Sequence, residues 1–386
     1  MILKRNIEAI FKKLASSYKI VTITGPRQSG KTTLCKTIFP EKKYYSLEDP
    51  DIRSWCETDP RSFLKDIAEG AILDEIQRVP NFHSYLQTFV DERSAKGQFI
   101  LTGSNQLHLN EKVTQSLAGR TALMTLLPFS MTEIKSKISN KTFEEIIFEG
   151  FYPGVFESGM EPTSFYKNYY QTYIERDVTA LINLKDRMQF EKFVKLCAGR
   201  AGQILSYSGL SNDVGVSVAT IQHWISILEA SFIVFRLPPF YENFNKRMIK
   251  SPKLYFYDVG LLSYLLDLRS PTDLKSHSMR GALFENLVIV DIMKEQLYRG
   301  EDVKLYYMRD AKGLEVDLIY KTGLTAKLFE IKSGMTVNDD FFTGLSKFGE
   351  LFSGYNIKAK KYIIYAGEHE FERNETQIIN YKNFKD

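Results

Sequence analysis

A glycine-rich segment near the N-terminus holds the first residues whose types and spacing could do chemistry. It reads TITGPRQSGKTTL, in which four residues separate Gly25 from Gly30, Lys31 and Thr32. An apolar run precedes this segment and a helical pattern follows it, which is the context that a Walker A phosphate loop requires. Backbone N–H groups of such a loop face the phosphates, the lysine adds a positive charge, and the threonine hydroxyl can ligate Mg²⁺. The segment therefore predicts a site for ATP and Mg²⁺.

An acidic pair, Asp74 and Glu75, ends the apolar run GAILDE. Parallel sheets bind ligands at the carboxyl ends of their strands. We expect Asp74 to hold Mg²⁺ together with Thr32, and Glu75 to act as the general base that activates the attacking water. Such a pair alone is as often a helix cap, and the Walker A motif upstream favours the catalytic interpretation.

Several other polar residues are candidates for contact with the nucleotide. Ser104 and Asn105 end the run QFILTGSN, and either could orient the attacking water or form only a polar turn. Arg120, in SLAGR, is predicted to be an arginine finger supplied to a neighbouring subunit, which requires a homo-oligomer. Arg27 and Arg78 are weaker candidates for that role. The predicted nucleotide-binding residues are Gly25, Pro26, Arg27, Gln28, Ser29, Gly30, Lys31, Thr32, Thr33 and Ser104.

The elements that must position these residues alternate between strands and helices. KTTLCKTIF and NFHSYLQTFVDERSAK have helical patterns, and apolar runs lie on either side of them. This alternation predicts a buried parallel sheet and a P-loop domain over residues 1–135. The predicted strands are KIVTIT (19–24), KYYSL (43–47), GAILDE (70–75), QFILTGS (98–104) and TALMTLL (121–127).

The middle of the chain divides into a helical linker or lid, 136–200, and a segment, 201–254, that predicts helix, turn, helix and strand. Ser217 is a plausible N-cap of the second helix, whose residues Ile221, Ile225 and Leu228 share one face. If that helix enters a DNA groove, its outward residues could reach base edges; otherwise the segment only packs between domains. The outward residues are Thr220, Gln222 and His223, and the basic residues that could contact phosphates are Lys246, Arg247, Lys250 and Lys253.

The C-terminal region, 255–386, contains a second set of chemically suggestive residues. Asp317 lies in one predicted strand, and Glu330 and Lys332 lie on one face of the next because side chains alternate along a strand. This arrangement resembles that of the PD-(D/E)XK nuclease superfamily, in which the carboxylates hold Mg²⁺ and the lysine assists the reaction. Glu285, on a preceding helix, matches the extra acidic residue of those folds. Glu285, Asp317 and Glu330 are therefore predicted metal ligands, and Asp317, Glu330 and Lys332 predicted catalytic residues.

The motifs in their order resemble a large group of bacterial and archaeal AAA-type ATPases in which a P-loop domain is fused to a C-terminal nuclease-like domain. The matching segments are TITGPRQSGKTTL, YYSLEDPDIR, AILDEIQ, FILTGSN, SLAGRTALMTLLPFSMTE and YIERDV. The resemblance covers nearly the whole chain. It implies an α/β multidomain fold: an AAA-like domain over 1–135, a winged-helix segment over 201–254 and a restriction-endonuclease-like domain over 255–386.

Composition limits the function classes. The chain has 386 residues, 44% of them hydrophobic and 25% charged, which is typical of globular protein with roughly two to three domains. No apolar stretch is long enough to cross a membrane, and three scattered cysteines fit a reducing cytoplasm. A net charge of +4 leaves DNA a candidate partner without requiring it. Two functions remain: an ATPase that acts on or with DNA, or an ATP-regulated switch or scaffold whose C-terminal domain binds a protein partner that the sequence does not identify.

Overall fold

The computed structural model describes residues 3–104, 117–178, 187–240 and 248–384, which form two compact units. The first unit comprises Met1–Phe129 with the short segments Ala230–Phe232 and Gln296–Glu301. The second comprises Ser130–Glu229, Ile233–Glu295 and Asp302–Asp386. Among the described residues, no helix combines the length and the apolar character that a membrane span needs.

The first unit is built on a five-stranded parallel sheet in the order β2-β3-β4-β1-β5. Its strands are β1 (Ile20–Thr24), β2 (Lys43–Ser46), β3 (Ala71–Asp74), β4 (Phe99–Gly103) and β5 (Thr121–Thr125). Its helices are α1 (Glu8–Ser17), α2 (Lys31–Ile38), α3 (Pro50–Thr58), α4 (Pro60–Asp66) and α5 (Phe82–Asp91), with a 3₁₀ turn at Ile76–Arg78. All five predicted strands and both predicted helices of this region are therefore present.

The parallel sheet explains why distant motifs meet. Every residue of β1, β3 and β4 is buried, and successive side chains enter the cores on opposite faces of the sheet. Ile72 packs with Phe11 of α1 on one face, whereas Leu73 packs with Phe82 of α5 on the other. Because the strands are parallel, the segments that follow β1, β3 and β4 emerge at the same edge.

A buried arginine, Arg5, connects the phosphate loop to the segment that follows β5. Arg5 is 6% exposed and donates hydrogen bonds to the carbonyl of Ser29 (2.9 Å), the carbonyl of Leu127 (2.7 Å) and the hydroxyl of Tyr298 (2.9 Å). Its guanidinium also lies 4.7 Å from the ring centre of Phe129. One cation thus ties the phosphate loop to the segment that follows β5.

Replacing Arg5 by alanine is expected to lower the free energy of unfolding by about 3 kcal/mol, because buried carbonyls lose charge-assisted hydrogen bonds. Urea denaturation of the variant and wild type measures this difference. Arg61→Ala, which removes an exposed arginine of α4, is the matched control and should change stability by less than about 0.5 kcal/mol. An Arg5→Ala variant as stable as the control would show that these hydrogen bonds contribute nothing net.

The first part of the second unit is helical. It contains α6 (Lys135–Ile138), α7 (Phe143–Glu149), α8 (Pro153–Glu157), α9 (Pro162–Tyr169), a π-helix (Tyr170–Val178), α10 (Arg187–Ala198), α11 (Tyr207–Val214) and α12 (Val218–Ala230). The strands β6 (Val234–Leu237) and β7 (Lys253–Phe256) follow and pair antiparallel. The predicted cap of α12 is present, since the backbone N–H of Thr220 donates to Ser217 Oγ at 3.1 Å. The predicted face of α12, with Ile221, Ile225 and Leu228, is buried.

The last part of the second unit is a six-stranded mixed sheet in the order β12-β13-β11-β10-β9-β8. Its helices are α13 (Val259–Leu265), α14 (Pro271–Ser276), α15 (Arg280–Tyr298) and α16 (Phe341–Ser353). Its strands are β8 (Leu305–Arg309), β9 (Glu315–Thr322), β10 (Thr325–Lys332), β11 (Lys358–Tyr365), β12 (Phe371–Arg373) and β13 (Thr376–Asn380). The strands β8, β9 and β10 are antiparallel neighbours, whereas β11 lies parallel to β10. The domain boundary predicted between 254 and 255 falls inside β7.

Candidate functional site

The phosphate loop joins β1 to α2 through a backbone that other residue types could not easily adopt. Gly25 has a φ of 151° and Gly30 a φ of 93°, and a Cβ on Gly25 would lie 2.1 Å from the carbonyl oxygen of Leu126. Gln28 adopts a left-handed φ of 61°, which costs a side-chain-bearing residue free energy. Ser29 Oγ is buried and has no hydrogen-bond partner among the described residues. The loop is thus a strained concavity with an unsatisfied hydroxyl, which fits a site for phosphate.

Lys31 lies inside this loop. Its Nζ donates to the carbonyls of Gly25 (2.9 Å) and Pro26 (2.8 Å), and the residue is 6% exposed. Burial lowers the pKa of Lys31, while the charges of Glu75 and Asp74 oppose that shift. The ammonium therefore stays between carbonyl oxygens and two acidic residues, where incoming phosphate oxygens can replace the carbonyls.

Asp74 ends β3 and is surrounded by hydroxyl groups. Thr32 Oγ1 and the hydroxyl of Tyr44 each donate to Asp74 Oδ2 at 2.8 Å, and Thr102 Oγ1 donates to Oδ1. Burial, followed by the hydrogen bond to Asp74, raises the pKa of Tyr44. Thr32 and Asp74 were predicted to act together, and the structure brings them into contact. Tyr44 and Thr102 were missed, because only the register of β2 and β4 against β3 reveals them.

Glu75 follows Asp74 in a left-handed conformation, with a φ of 58°. Ser104 Oγ donates to Glu75 Oε2 at 3.0 Å, and Gln77 Nε2 donates to the same oxygen. The backbone N–H of Glu75 donates to Thr102 Oγ1 at 3.3 Å. The structure therefore places Ser104 beside the predicted base, where the sequence pattern suggested a role in orienting water. Asn105, the alternative to Ser104, lies outside the described residues.

Two further predicted arginines share one carboxylate. Arg27 of the phosphate loop lies 3.2 Å from Glu48 Oε1, and Arg78, just after the acidic pair, lies 3.5 Å from the same oxygen. Glu48 follows β2 and was not predicted as a site residue, although it lies in the segment YYSLEDPDIR that carries part of the resemblance. The charge of Arg27 also contributes to the lowered pKa of Lys31, so Arg27 lies close to the phosphate loop.

Arg120 lies at the amino-terminal end of the parallel strands, whereas its own phosphate loop lies at their carboxyl end. Its carbonyl accepts a hydrogen bond from the backbone N–H of Ile20, the first residue of β1, whereas the phosphate loop follows the last. Five strand residues separate the two ends by about 16 Å. The guanidinium forms two hydrogen bonds with Asp91, at 2.6 and 2.7 Å. Within one chain Arg120 is thus held by an ion pair with Asp91, away from the phosphate loop.

The predicted C-terminal residues come together across β9 and β10. Lys332 Nζ lies 2.6 Å from Glu330 Oε1 and 3.3 Å from Asp317 Oδ2, and Asp317 Oδ2 also accepts from the backbone N–H of Ile331 at 2.8 Å. Burial, followed by the charge of Asp317, raises the pKa of Glu330 to about 8. Carboxylate oxygens of Glu285, Glu315 and Asp317 all lie within 4.8 Å of one another. The sequence analysis did not predict Glu315. The one signal for it in the sequence is its position two residues before Asp317, which places both side chains on the same face of β9.

The prediction that Lys253 contacts phosphates in a basic hairpin is wrong. Lys253 is 3% exposed, and its Nζ pairs with Glu285 Oε1 at 3.1 Å and with Glu315 Oε1. Burial favours the neutral amine, but the charges of Glu285, Glu315 and Asp317 outweigh it and raise the pKa of Lys253. The basic spacing of KRMIKSPK does not reveal that the first residue of β7 points into a carboxylate cluster. Lys246 and Arg247 lie outside the described residues, and Lys250 is exposed.

Of the outward residues predicted on α12, Gln222 and His223 are exposed and Thr220 is half-buried. The hydroxyl of Thr220 lies 2.8 Å from Ser217 Oγ, at the cap of the helix. Gln222 and His223 therefore remain on a solvent-facing surface, whereas Thr220 is engaged in capping.

Comparison with known families divides the chain into three matched segments. Residues 17–135 match the model described as an AAA domain. Residues 140–272 and 280–384 match models described as domains of unknown function, DUF8612 and DUF4143 respectively. Two uncharacterized proteins, of Mycobacterium bovis and Mycobacterium tuberculosis, are each 27% identical over 384 residues, which cover 98% of this chain and 83% of each relative.

Comparison with solved structures gives partial matches, which include the following two. The Walker-type ATPase of Pyrococcus abyssi is 14% identical with a TM-score of 0.44, over 68% of this chain and 96% of that chain. AMPPCP-bound DnaA from Aquifex aeolicus is 15% identical with a TM-score of 0.31, over 59% of this chain and 89% of that chain. Residues 17–135, which match the AAA domain model, thus contain the phosphate loop and the acidic pair described above.

Proposed function

We propose that this protein hydrolyses ATP with Mg²⁺ and couples hydrolysis to action on or with DNA. The observation that carries the first part is the contact of Thr32 with Asp74, 2.8 Å apart, beside a buried Lys31. A hydroxyl and a carboxylate are oxygen ligands that Mg²⁺ prefers, so both residues fit as its protein ligands. When bound, Mg²⁺ neutralises phosphate charge.

The roles of the protein's own groups follow from their contacts. When ATP binds, Lys31 exchanges its hydrogen bonds to the carbonyls of Gly25 and Pro26 for hydrogen bonds to phosphate oxygens. The negative charge of the phosphates then offsets the cost of burying the ammonium. Glu75 accepts a proton from the attacking water, and Ser104 and Gln77 orient its carboxylate by hydrogen bonds. Both partners bind the same oxygen, Oε2, so the other oxygen of Glu75 is the one we assign to water.

The arrangement of the second unit supports the DNA part of the proposal. Two short helices, α11 and α12, precede the antiparallel pair β6 and β7, which is the order of a winged helix. Gln222 and His223 are exposed on α12, where they could reach base edges. From α15 onward the order is a helix, the three antiparallel strands β8 to β10, the helix α16 and the parallel strand β11, as in restriction-endonuclease-like folds.

The test is the rate of ATP hydrolysis with Mg²⁺ or EDTA, in the presence and absence of duplex DNA. We expect hydrolysis only with Mg²⁺, and a several-fold stimulation by DNA that a Gln222→Ala/His223→Ala double variant loses. Equal stimulation of variant and wild type by DNA would show that α12 is not the helix that contacts DNA bases. The absence of any stimulation would reject coupling to DNA but leave the ATPase assignment intact.

A second function, that of an ATP-regulated switch or scaffold, has one specific observation in its favour. Lys253 lies among the carboxylates that a nuclease would use for metal. In this function the C-terminal domain binds a partner without cutting it. A plasmid-nicking assay with Mg²⁺ or Mn²⁺ distinguishes the two: cleavage by wild type that Asp317→Ala abolishes would reject the scaffold function.

We propose that Arg120 is an arginine finger; because it lies about 16 Å from its own phosphate loop, it would act on a neighbouring subunit, and hydrolysis is then expected to need assembly. We expect the specific rate to rise with protein concentration and Arg120→Ala to lower it by roughly 10³-fold. Arg120→Ala subunits mixed with Lys31→Ala subunits should regain activity, since the latter supply intact arginines.

The matched control for Arg120 is Asp91→Asn, which breaks the same ion pair but keeps the arginine. If Arg120 acts on a neighbouring subunit, Asp91→Asn retains activity. A similar loss in both variants, with no complementation, would show that the ion pair serves only the fold.

A further inference from the structure

We infer that Lys253 is the resident cation of the carboxylate cluster formed by Glu285, Glu315 and Asp317, and that it keeps divalent metal out of this cluster. The inference concerns the C-terminal part of the proposed function and does not depend on ATP hydrolysis. It predicts an unusual result: removing a positively charged side chain creates a metal site.

The cluster has the dimensions of a divalent-metal site. Mg²⁺, Mn²⁺ and Ca²⁺ bind oxygens at about 2.0–2.6 Å, so ligand oxygens on one ion lie about 3–5 Å apart. The three carboxylates meet that condition, with oxygens within 4.8 Å of one another. Lys253 Nζ contacts two of the three, Glu285 and Glu315, and so stands among the oxygens that would surround an ion.

Most of the surrounding carboxylate oxygens already have a donor. The hydroxyl of Tyr255 donates to Glu285 Oε1, and Arg309 Nη1 lies 3.3 Å from Glu315 Oε2. Lys332 pairs with both Asp317 and Glu330. Lys253, Lys332 and Arg309 thus neutralise most of the four carboxylates without an ion.

A buried oxygen without a donor supports a latent ligand site. Glu330 is 9% exposed, and its Oε2 is buried with no hydrogen-bond partner among the described residues. The other oxygen of this carboxyl group, Oε1, lies 2.6 Å from Lys332 Nζ, which also lies 3.3 Å from Asp317 Oδ2 of the cluster. A buried carboxyl oxygen without a hydrogen-bond partner is an unsatisfied polar group that a bound cation would satisfy.

The backbone of β7 holds Lys253 in place from both sides. β6 pairs with it at Leu237, and Ile204 forms a bridge to it on the other side. The next residue, Leu254, exchanges hydrogen bonds with Gly202 and Gln203 at 2.7 and 3.0 Å. Both edges of the strand are therefore engaged, which fixes the backbone of Lys253, and the burial of its side chain with two ion pairs keeps the ammonium among the carboxylates.

The test is calorimetric titration of Mn²⁺ into full-length, nucleotide-free protein. Wild type and Asp317→Asn are expected to bind Mn²⁺ equally, because the cluster is closed to metal in both. Lys253→Gln is expected to gain one site, at least 10-fold tighter than any in wild type, and Lys253→Gln/Asp317→Asn to lose it. Lys253→Arg keeps the cation and should gain no site.

Two outcomes would overturn the inference. One is a Mn²⁺ site in wild type that Asp317→Asn abolishes, which would show that Lys253 does not exclude metal. The other is a folded Lys253→Gln variant, judged by circular dichroism, that gains no site. If Lys253→Gln does not fold, the comparison of wild type with Asp317→Asn still decides. None of these outcomes bears on Lys31 or Glu75, so the ATPase assignment is tested separately.

Discussion

Replacing Lys31 by alanine is expected to weaken ATP binding by at least about 100-fold. Its Nζ donates to the carbonyls of Gly25 and Pro26, which phosphate oxygens can replace, and it lies buried beside two acidic residues. Charge-assisted hydrogen bonds to phosphate contribute about 1.5–3 kcal/mol each, and about 2.7 kcal/mol corresponds to 100-fold in affinity. Calorimetric titration of ATP with Mg²⁺ measures the loss.

The matched control is Lys13→Ala, which removes an exposed lysine of α1. It should bind ATP as wild type does. An affinity of Lys31→Ala within a few-fold of the control would contradict the assignment of this loop as the phosphate site.

Replacing Glu75 by glutamine is expected to leave ATP affinity within a few-fold of wild type but lower the hydrolysis rate by about 10²–10⁴-fold. The amide keeps the size of the side chain and can still pair with Ser104 or Gln77, but it cannot accept a proton from water. Steady-state phosphate release at saturating ATP measures the change. Glu69→Gln, at an exposed position before β3, is the control and should leave the rate unchanged.

Local motifs made the first half of the site predictable. The phosphate loop directly follows a short apolar strand, and the acidic pair Asp74 and Glu75 lies at the end of another. Their spacing therefore indicates their chemistry and places both at the carboxyl ends of the strands. The contact of Thr32 with Asp74 depends in addition on the strand order β1, β4, β3, whereas strand–helix alternation implies only that the strands are parallel.

Residues whose role depends on long-range packing were not predictable in this way. Tyr44 reaches Asp74 only because β2 pairs with β3 in one register, with Ser46 opposite Asp74. Lys253 belongs to a basic, hairpin-like stretch in the sequence, yet the pairing of β7 directs it into a buried cluster. A charge pattern along the chain cannot distinguish a solvated cation from one neutralised by carboxylates distant in sequence.

Arg120 lies between these two cases. Its position just before β5 was predicted, and the parallel sheet puts it at the edge away from its own phosphate loop. Its ion pair with Asp91 was not predicted, because Asp91 ends α5 on a separate part of the chain. Any action of Arg120 on a neighbouring nucleotide must therefore exchange Asp91 for phosphate.

The most direct test of the ATPase assignment is the identity of the nucleotide retained after one turnover. Wild type and Glu75→Gln would each be incubated with Mg²⁺ and less than one equivalent of ATP, quenched, and their nucleotide separated by chromatography. We predict ADP from wild type and ATP from Glu75→Gln. ATP from both proteins, or ADP in equal amount from both, would contradict the assignment of Glu75 as the base of a hydrolytic site.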